Sequence, residues 1–304
     1  MTMLLHEQAR APAPIPSPTP SESSTPASPS TPNQLAQQIT GRPYLSHSQL
    51  SLMRSCPQSF AFRYVEKAPP QFLASSLLFG GAIHHALDLH YCALLEGLRC
   101  TPQALYSAYL DGWTSQHRQT GEEVPIRYNQ KEDREQLDEL AQRLLASFLA
   151  SPIAHPKGRI LGVEEELKVT LSPDLPDLVA RVDLATQTED GLNVVDFKTS
   201  RSRWNEQRAA EAGDQLLLYG LTLGRMSRYL GLPLKLHFAI LTKAKTPVVQ
   251  VLAVPTDADR VAAIQESVSA VWHAIQSGNF YPAPSPMHCG TCPYRDRCPV
   301  FGGK

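Results

Sequence analysis

No apolar run in the 304-residue sequence approaches the roughly 18 residues that a membrane span needs, so no association with a bilayer core is expected. The chain also lacks an excess of either charge. Its 28 basic and 29 acidic side chains give a net charge of −1, so any nucleic-acid contact must come from local basic patches. No G-x4-G-K-[ST] phosphate loop is present, so any motor activity would have to reside on a separate chain. Internal repeats are absent. So is the apolar stretch of an export signal, because Met3-Leu4-Leu5 stops at His6-Glu7. Arg10 is the only Lys or Arg in the first 40 residues, which argues against an organellar transit peptide. A cytoplasmic, reducing setting follows as the expectation, and there six cysteines suggest metal ligands more than disulfides.

Residues 11–34, APAPIPSPTPSESSTPASPSTPNQ, offer almost no apolar surface to bury, so residues 1–42 are expected to form a disordered Pro/Ser-rich tail. Order is expected from about Pro43, with Ser46 and Gln49 at capping-box spacing ahead of Leu50, Leu52 and Met53. Apolar periodicity predicts helices over 75–97, 102–118 and 130–150, with Gly121 to Asn129 as a loop. Strand character then dominates at 159–171, 178–186 and 192–197. A helix at 208–230, strands at 234–242 and 247–253, and an amphipathic helix at 256–277 complete the pattern. This order predicts one α/β domain, bordering on α+β, over 43–304, with a mixed central sheet flanked by helices. Its core would lie at 159–253, with the helices of 100–152 as an elaboration.

The densest chemistry lies in Arg181-Val182-Asp183 and, after twelve intervening residues, Asp196-Phe197-Lys198. Asp196 and Lys198, at i and i+2 on a strand, must project from one face. A turn at Asp190-Gly191 would pair that strand with the one carrying Asp183 and bring two carboxylates and a lysine to one sheet edge. Oxygen ligands of this kind suit Mg²⁺ or Mn²⁺, and a lysine can orient water or stabilise charge on a phosphoryl group. By itself a D-x-K tripeptide also fits a strand end with a surface ion pair.

These residues resemble the PD-(D/E)XK nucleases, with Asp183 at the first acid and Asp196-Phe197-Lys198 at the second element. Gly80-Gly81-Ala82-Ile83-His84 is similar to the G-x-x-x-H element of the RecB-like branch, and Gln215-Leu216-Leu217-Leu218-Tyr219 to its Q-x-x-x-Y helix. The chain departs from many relatives in having Ala180, not Gly, three residues before the first acid. The resemblance implies a restriction-endonuclease-like fold. It implies metal ligation by His84, Asp183, Asp196 and the carbonyl of Phe197. Lys198 would assist the attacking water, and Gln215 and Tyr219 would position substrate or Lys198. His85, next to His84, is a competing imidazole.

Cys289-x2-Cys292-x5-Cys298 has metal-site spacing, and its chemistry leaves zinc and iron–sulfur open, with His288 as a possible fourth zinc ligand. The resemblance extends to iron–sulfur members of the branch, the AddB-type and CRISPR-associated nucleases, in which one cysteine precedes the core and three follow it. It thus implies a 4Fe-4S cluster on Cys56, Cys289, Cys292 and Cys298. Cys92 and Cys100 lack such spacing and are expected as core or partly buried thiols. Arg201, Arg203 and Arg208 surround Trp204, which could stack on a base or pack inward. Arg225, Arg228, Lys243 and Lys245 are further cations. The implied activity is a metal-dependent DNA nuclease, an exonuclease on single-stranded ends in repair, recombination or CRISPR adaptation. The rival is a non-catalytic iron–sulfur DNA-binding subunit that serves a separate helicase or adaptation complex.

Overall fold

The computed structural model describes residues 31–302, apart from the side chains of residues 222, 225, 226 and 229. Of the expected tail, residues 1–30 lie outside this range. The remainder departs from expectation, because Pro32–Thr40 forms a helix, α1. Proline at its first turn and a reciprocal Thr31–Gln34 capping box start it. Asn33 then donates to Asp177 Oδ2 at 2.7 Å and accepts from the Asp177 amide at 2.8 Å. Composition reports low apolar content, but it cannot register caps or a distant partner.

A two-residue strand β1 (Leu45–Ser46) leads into α2 (His47–Ser55), capped by Ser46 and Gln49 as their spacing predicts. The short α3 (Pro57–Phe60) follows, then β2 (Leu73–Ala74) and the long α4 (Ser75–Leu95). Next come α5 (Pro102–Thr120), β3 (Ile126–Arg127) and α6 (Arg134–Leu149). The sheet strands are β4 (Arg159–Val169), β5 (Leu178–Thr188) and β6 (Gly191–Ser200). The expected 208–230 helix is two, α7 (Glu206–Glu211) and α8 (Asp214–Leu230), broken at Ala212-Gly213. Then β7 (Leu234–Thr242), β8 (Val249–Val254), α9 (Ala258–Gln276) and the short α10 (Pro286–Cys289) complete the chain. None of these helices is long and apolar enough to cross a membrane.

The main sheet is mixed: β4, β5 and β6 are antiparallel neighbours, β6 and β7 run parallel, and β8 returns antiparallel. Strand alternation sends consecutive residues into two cores. Val194, Phe238 and Ile240 join one cluster with Leu216, Leu217 and Trp272, beneath α8 and α9. Val195, Phe197, Ala239 and Leu241 join the other, with Ile83, Tyr109 and Phe148. Helices α4, α5 and α6 pack on this face of the sheet, giving a mixed sheet flanked by helices.

Glycine sets two close approaches. A Cβ on Gly112 would stand 2.8 Å from the Cβ of His85, and one on Gly81 would overlap the Gln116 amide, so α4 and α5 pack through these positions. The turn at Gly191 joins the two acid-bearing strands, with φ +150° and its Cα facing the Pro233 carbonyl. Gly191→Ala is expected to cost about 2–3 kcal/mol in urea unfolding, because backbone strain adds to a Cβ lying 2.5 Å from that carbonyl oxygen. Gly231→Ala, at φ +65° in open space, should cost only about 1 kcal/mol.

Candidate active site

Strands β5 and β6 pair only from Leu184↔Val195 to the turn at Thr188↔Gly191. Beyond that point they diverge. Asp183 and Asp196 stand at the opening of the fork. Asp183 Oδ2 accepts the Phe197 amide at 2.6 Å, where the ladder would otherwise have continued. The other end of β5 pairs with β1 instead, Leu45↔Leu178 and Ser46↔Val179. That pairing brings the start of α2 to the cleft.

The fork opens into a cleft of about 1030 Å³. His84 lines it from α4, with Nδ1 3.5 Å from Asp183 Oδ2 and 3.8 Å from Glu164 Oε1. His85 packs against Gly112, which settles which imidazole meets the acids. Asp196 is 1% exposed, and its Oδ2 lies 2.7 Å from Lys198 Nζ, outside hydrogen-bond alignment. Lys198 Nζ donates to Gln215 Oε1 at 2.8 Å, and Gln215 Nε2 donates in turn to the Tyr219 hydroxyl. At i and i+4 on α8 these two share one face, as their spacing requires. Phe197 lines the cleft while its side chain is buried in the second core, so it faces the site through its backbone.

Glu164 is a site residue that sequence reading missed. Its carboxylate, with the His84 imidazole and the Asp183 carboxylate, completes a set of three ligand atoms all within 4.8 Å of one another. Arg181 holds the second carboxylate oxygen at 3.2 Å. Glu164 sits within β4 at φ +50°, a left-handed backbone that aims it at the fork. The run Glu164-Glu165-Glu166 on a strand was the available signal, but it does not reveal which of three acids turns inward.

Charge is concentrated at the fork. Burial opposes a charge on His84, yet Asp183, Glu164 and Asp196 outweigh it and lift the imidazole to about 10. Burial pushes the Asp196 carboxyl up to about 6; Lys198 pulls the other way and Asp183 adds to the rise. Burial likewise keeps the Tyr219 hydroxyl protonated, well above its ordinary value. A divalent cation fits this donor set. It would replace the His84 proton and offset the carboxylates that now repel one another.

Other expected site residues lie elsewhere. Arg201, Arg203 and Arg208 are exposed, and none of them lines the cleft. Trp204 packs inward, 5.3 Å from Phe238, with its indole N–H donating to Ser200 Oγ at 3.0 Å and Arg208 over its ring. Of the two placements open to Trp204, it takes the inward-packed one. The Arg225 side chain lies outside the described residues. Cys92 is exposed, contrary to expectation, and Cys100 is partly buried.

The cysteine segment docks on the residues that follow Cys56. The Gln58 amide donates to Tyr281 O at 3.0 Å and the Gln71 amide to Pro293 O at 2.9 Å, while Phe62 packs on Tyr294 at 5.8 Å. Cys292 lies against that small cluster. Cys56, Cys289, Cys292 and Cys298 are all partly buried free thiols.

A helix-flanked mixed sheet, with acids and a lysine at the fork of two strands, defines the restriction-endonuclease-like class. The chain belongs to the PD-(D/E)XK nuclease superfamily, which matches residues 44–299. Its fold is similar to the crystal structure of a Eubacterium rectale protein described as "Putative exonuclease". That similarity has a TM-score of 0.50 at 13% identity, covering 86% of this chain and 89% of that one. The crystal structure of SSO0001 aligns at 15% identity over 75% of this chain and 86% of that one, with a TM-score of 0.31. No curated protein matches the sequence.

The Glu164 backbone allows a test independent of activity. Glu164→Gly and Glu164→Ala both delete the carboxylate, but only glycine accepts φ +50° without strain. Urea unfolding is expected to find the Gly variant more stable than the Ala variant by about 1 kcal/mol. Equal stabilities would show that β4 relaxes there at no cost.

Proposed function

We propose that this nuclease cleaves DNA with Mg²⁺ or Mn²⁺, acting as an exonuclease on single-stranded ends within the RecB-like branch. The observation that carries this reading is the fork, where His84, Asp183, Asp196 and Glu164 converge beside Lys198 in an open cleft. His84, Asp183, Asp196 and the Phe197 carbonyl would hold the cation, with Glu164 as an added ligand. When bound, the metal would polarise the scissile phosphate and acidify a water. Lys198, fixed between Asp196 and Gln215, would orient that water and stabilise charge on the phosphoryl oxygens. Gln215 and Tyr219 would fix the lysine from α8. The cleft's cationic lining of Arg42, Arg181 and Lys198 is sparse, which suits a short single-stranded segment better than a duplex grip. Repair, recombination and CRISPR adaptation would each supply such ends, as would a separate helicase.

We infer also that Cys56, Cys289, Cys292 and Cys298 hold a 4Fe-4S cluster. The docking of residues 281–294 on 58–72 supports a shared site for all four. Four thiolates suit a 4Fe-4S cluster, and one cysteine before the core with three after it is the order of the iron–sulfur members of the branch. The cluster would close a loop of more than 200 residues, a structural role.

Incubation of the purified protein with end-labelled single-stranded DNA and Mn²⁺ tests the first proposal. Wild type should cleave, while Asp196→Ala and Lys198→Ala should lose activity by about 1000-fold or more with folding unchanged. Cleavage should weaken progressively as pH falls, because protons on His84, lifted to about 10, and then on Asp196, lifted to about 6, compete with the metal. Wild-type rates in either variant would sink the site. Binding without cleavage in any divalent metal would favour a non-catalytic DNA-binding subunit. For the second proposal, anaerobically purified protein should be brown and carry iron. Cys292→Ser should lose both colour and iron, whereas a colourless protein carrying only zinc would overturn the cluster.

A further inference from the structure

Resting on the nuclease reading above, we propose that His47 is a substrate-positioning residue that donates a ring N–H to a backbone phosphate oxygen next to Lys198. His47 opens α2 immediately after β1, whose pairing with β5 inserts it at the fork. It lines the cleft together with Ser46, Ser48, Lys198 and Gln215. The ring is half-buried yet finds no hydrogen-bond partner among the described residues. None of the metal, water or lysine roles uses it.

Its charge state follows from its neighbours on each packed element. Lys198 of β6 and Arg54 of α2 both oppose a proton on the ring, in addition to its burial, and hold its pKa down to about 4. Asp214 of α8 favours protonation, but it is engaged by Arg54 at 3.0 Å. His47 is therefore neutral before substrate arrives. A neutral donor can add a directed hydrogen bond to a phosphate without drawing Asp196 away from Lys198. A second cation at this position would compete for that carboxylate. The start of α2 is compatible with the same ligand, because Ser46 and Ser48 line the cleft beside His47 and a helix N-terminus favours an anion.

Binding of a fluorescent single-stranded oligonucleotide, measured by anisotropy without divalent metal, tests His47 separately from catalysis. His47→Ala should raise Kd by about tenfold or more, the effect of losing a hydrogen bond to a charged group. His47→Gln, which keeps a neutral donor, should recover most of the affinity, and both variants should melt with wild type. An unchanged Kd in His47→Ala would overturn the assignment, as would a Gln variant as weak as the Ala one. A wild type that binds in this His47-dependent way but never cuts supports the inference and sinks the nuclease reading instead.

Discussion

The site depends on one hydrogen bond that replaces a strand ladder. Where β5 and β6 part, the Phe197 amide would be left without a partner in the protein interior, a cost comparable to a lost hydrogen bond. Asp183 Oδ2 accepts it at 2.6 Å. This single contact satisfies the amide where the ladder ends and pins the first carboxylate at the fork. It also frees the other end of β5 to pair with β1, which delivers the start of α2 to the same place.

Electrostatics at the fork are built on compensation. Three carboxylates, that of Asp196 only 1% exposed, stand together with a histidine and a lysine at the floor of the cleft. Such a group is stable only when each charge has a counterpart. Without a metal, the proton on His84 and the ammonium of Lys198 serve as those counterparts. The same strain toward neutralisation makes the site receptive to a divalent cation, so structural tension and chemical readiness have one origin. Glu164 follows the same logic in its backbone, where a left-handed conformation is retained because it turns a carboxylate toward the fork.

Two packed layers make the fork rigid enough to matter. α4 supplies His84 and is itself held by α5 across Gly81 and Gly112, while α8 supplies Gln215 and Tyr219 and is held by α9. Each functional side chain thus comes from an element whose opposite face is buried. The cysteine segment is tied to the residues that follow Cys56 through backbone hydrogen bonds at Gln58 and Gln71.

Sequence by itself determined the elements and much of the candidate site, because both are written in local periodicity. Alternation located β5 and β6, the Asp190-Gly191 turn paired them, and i/i+2 and i/i+4 spacing put Asp196 with Lys198 and Gln215 with Tyr219. Only tertiary structure decided the rest. Whether His84 or His85 meets the acids depends on where α5 packs, and whether Trp204 faces solvent depends on Phe238 in another strand. Glu164 and His47 escaped notice because nothing local distinguishes one acid in a run of three, or a lone histidine at a helix start. The helix at Pro32–Thr40 was hidden for a similar reason, since its partner Asp177 lies 144 residues away from Asn33. Spacing encodes what one strand or helix does with its own side chains. What those side chains meet is set by the long-range closure of the chain, which no local pattern records.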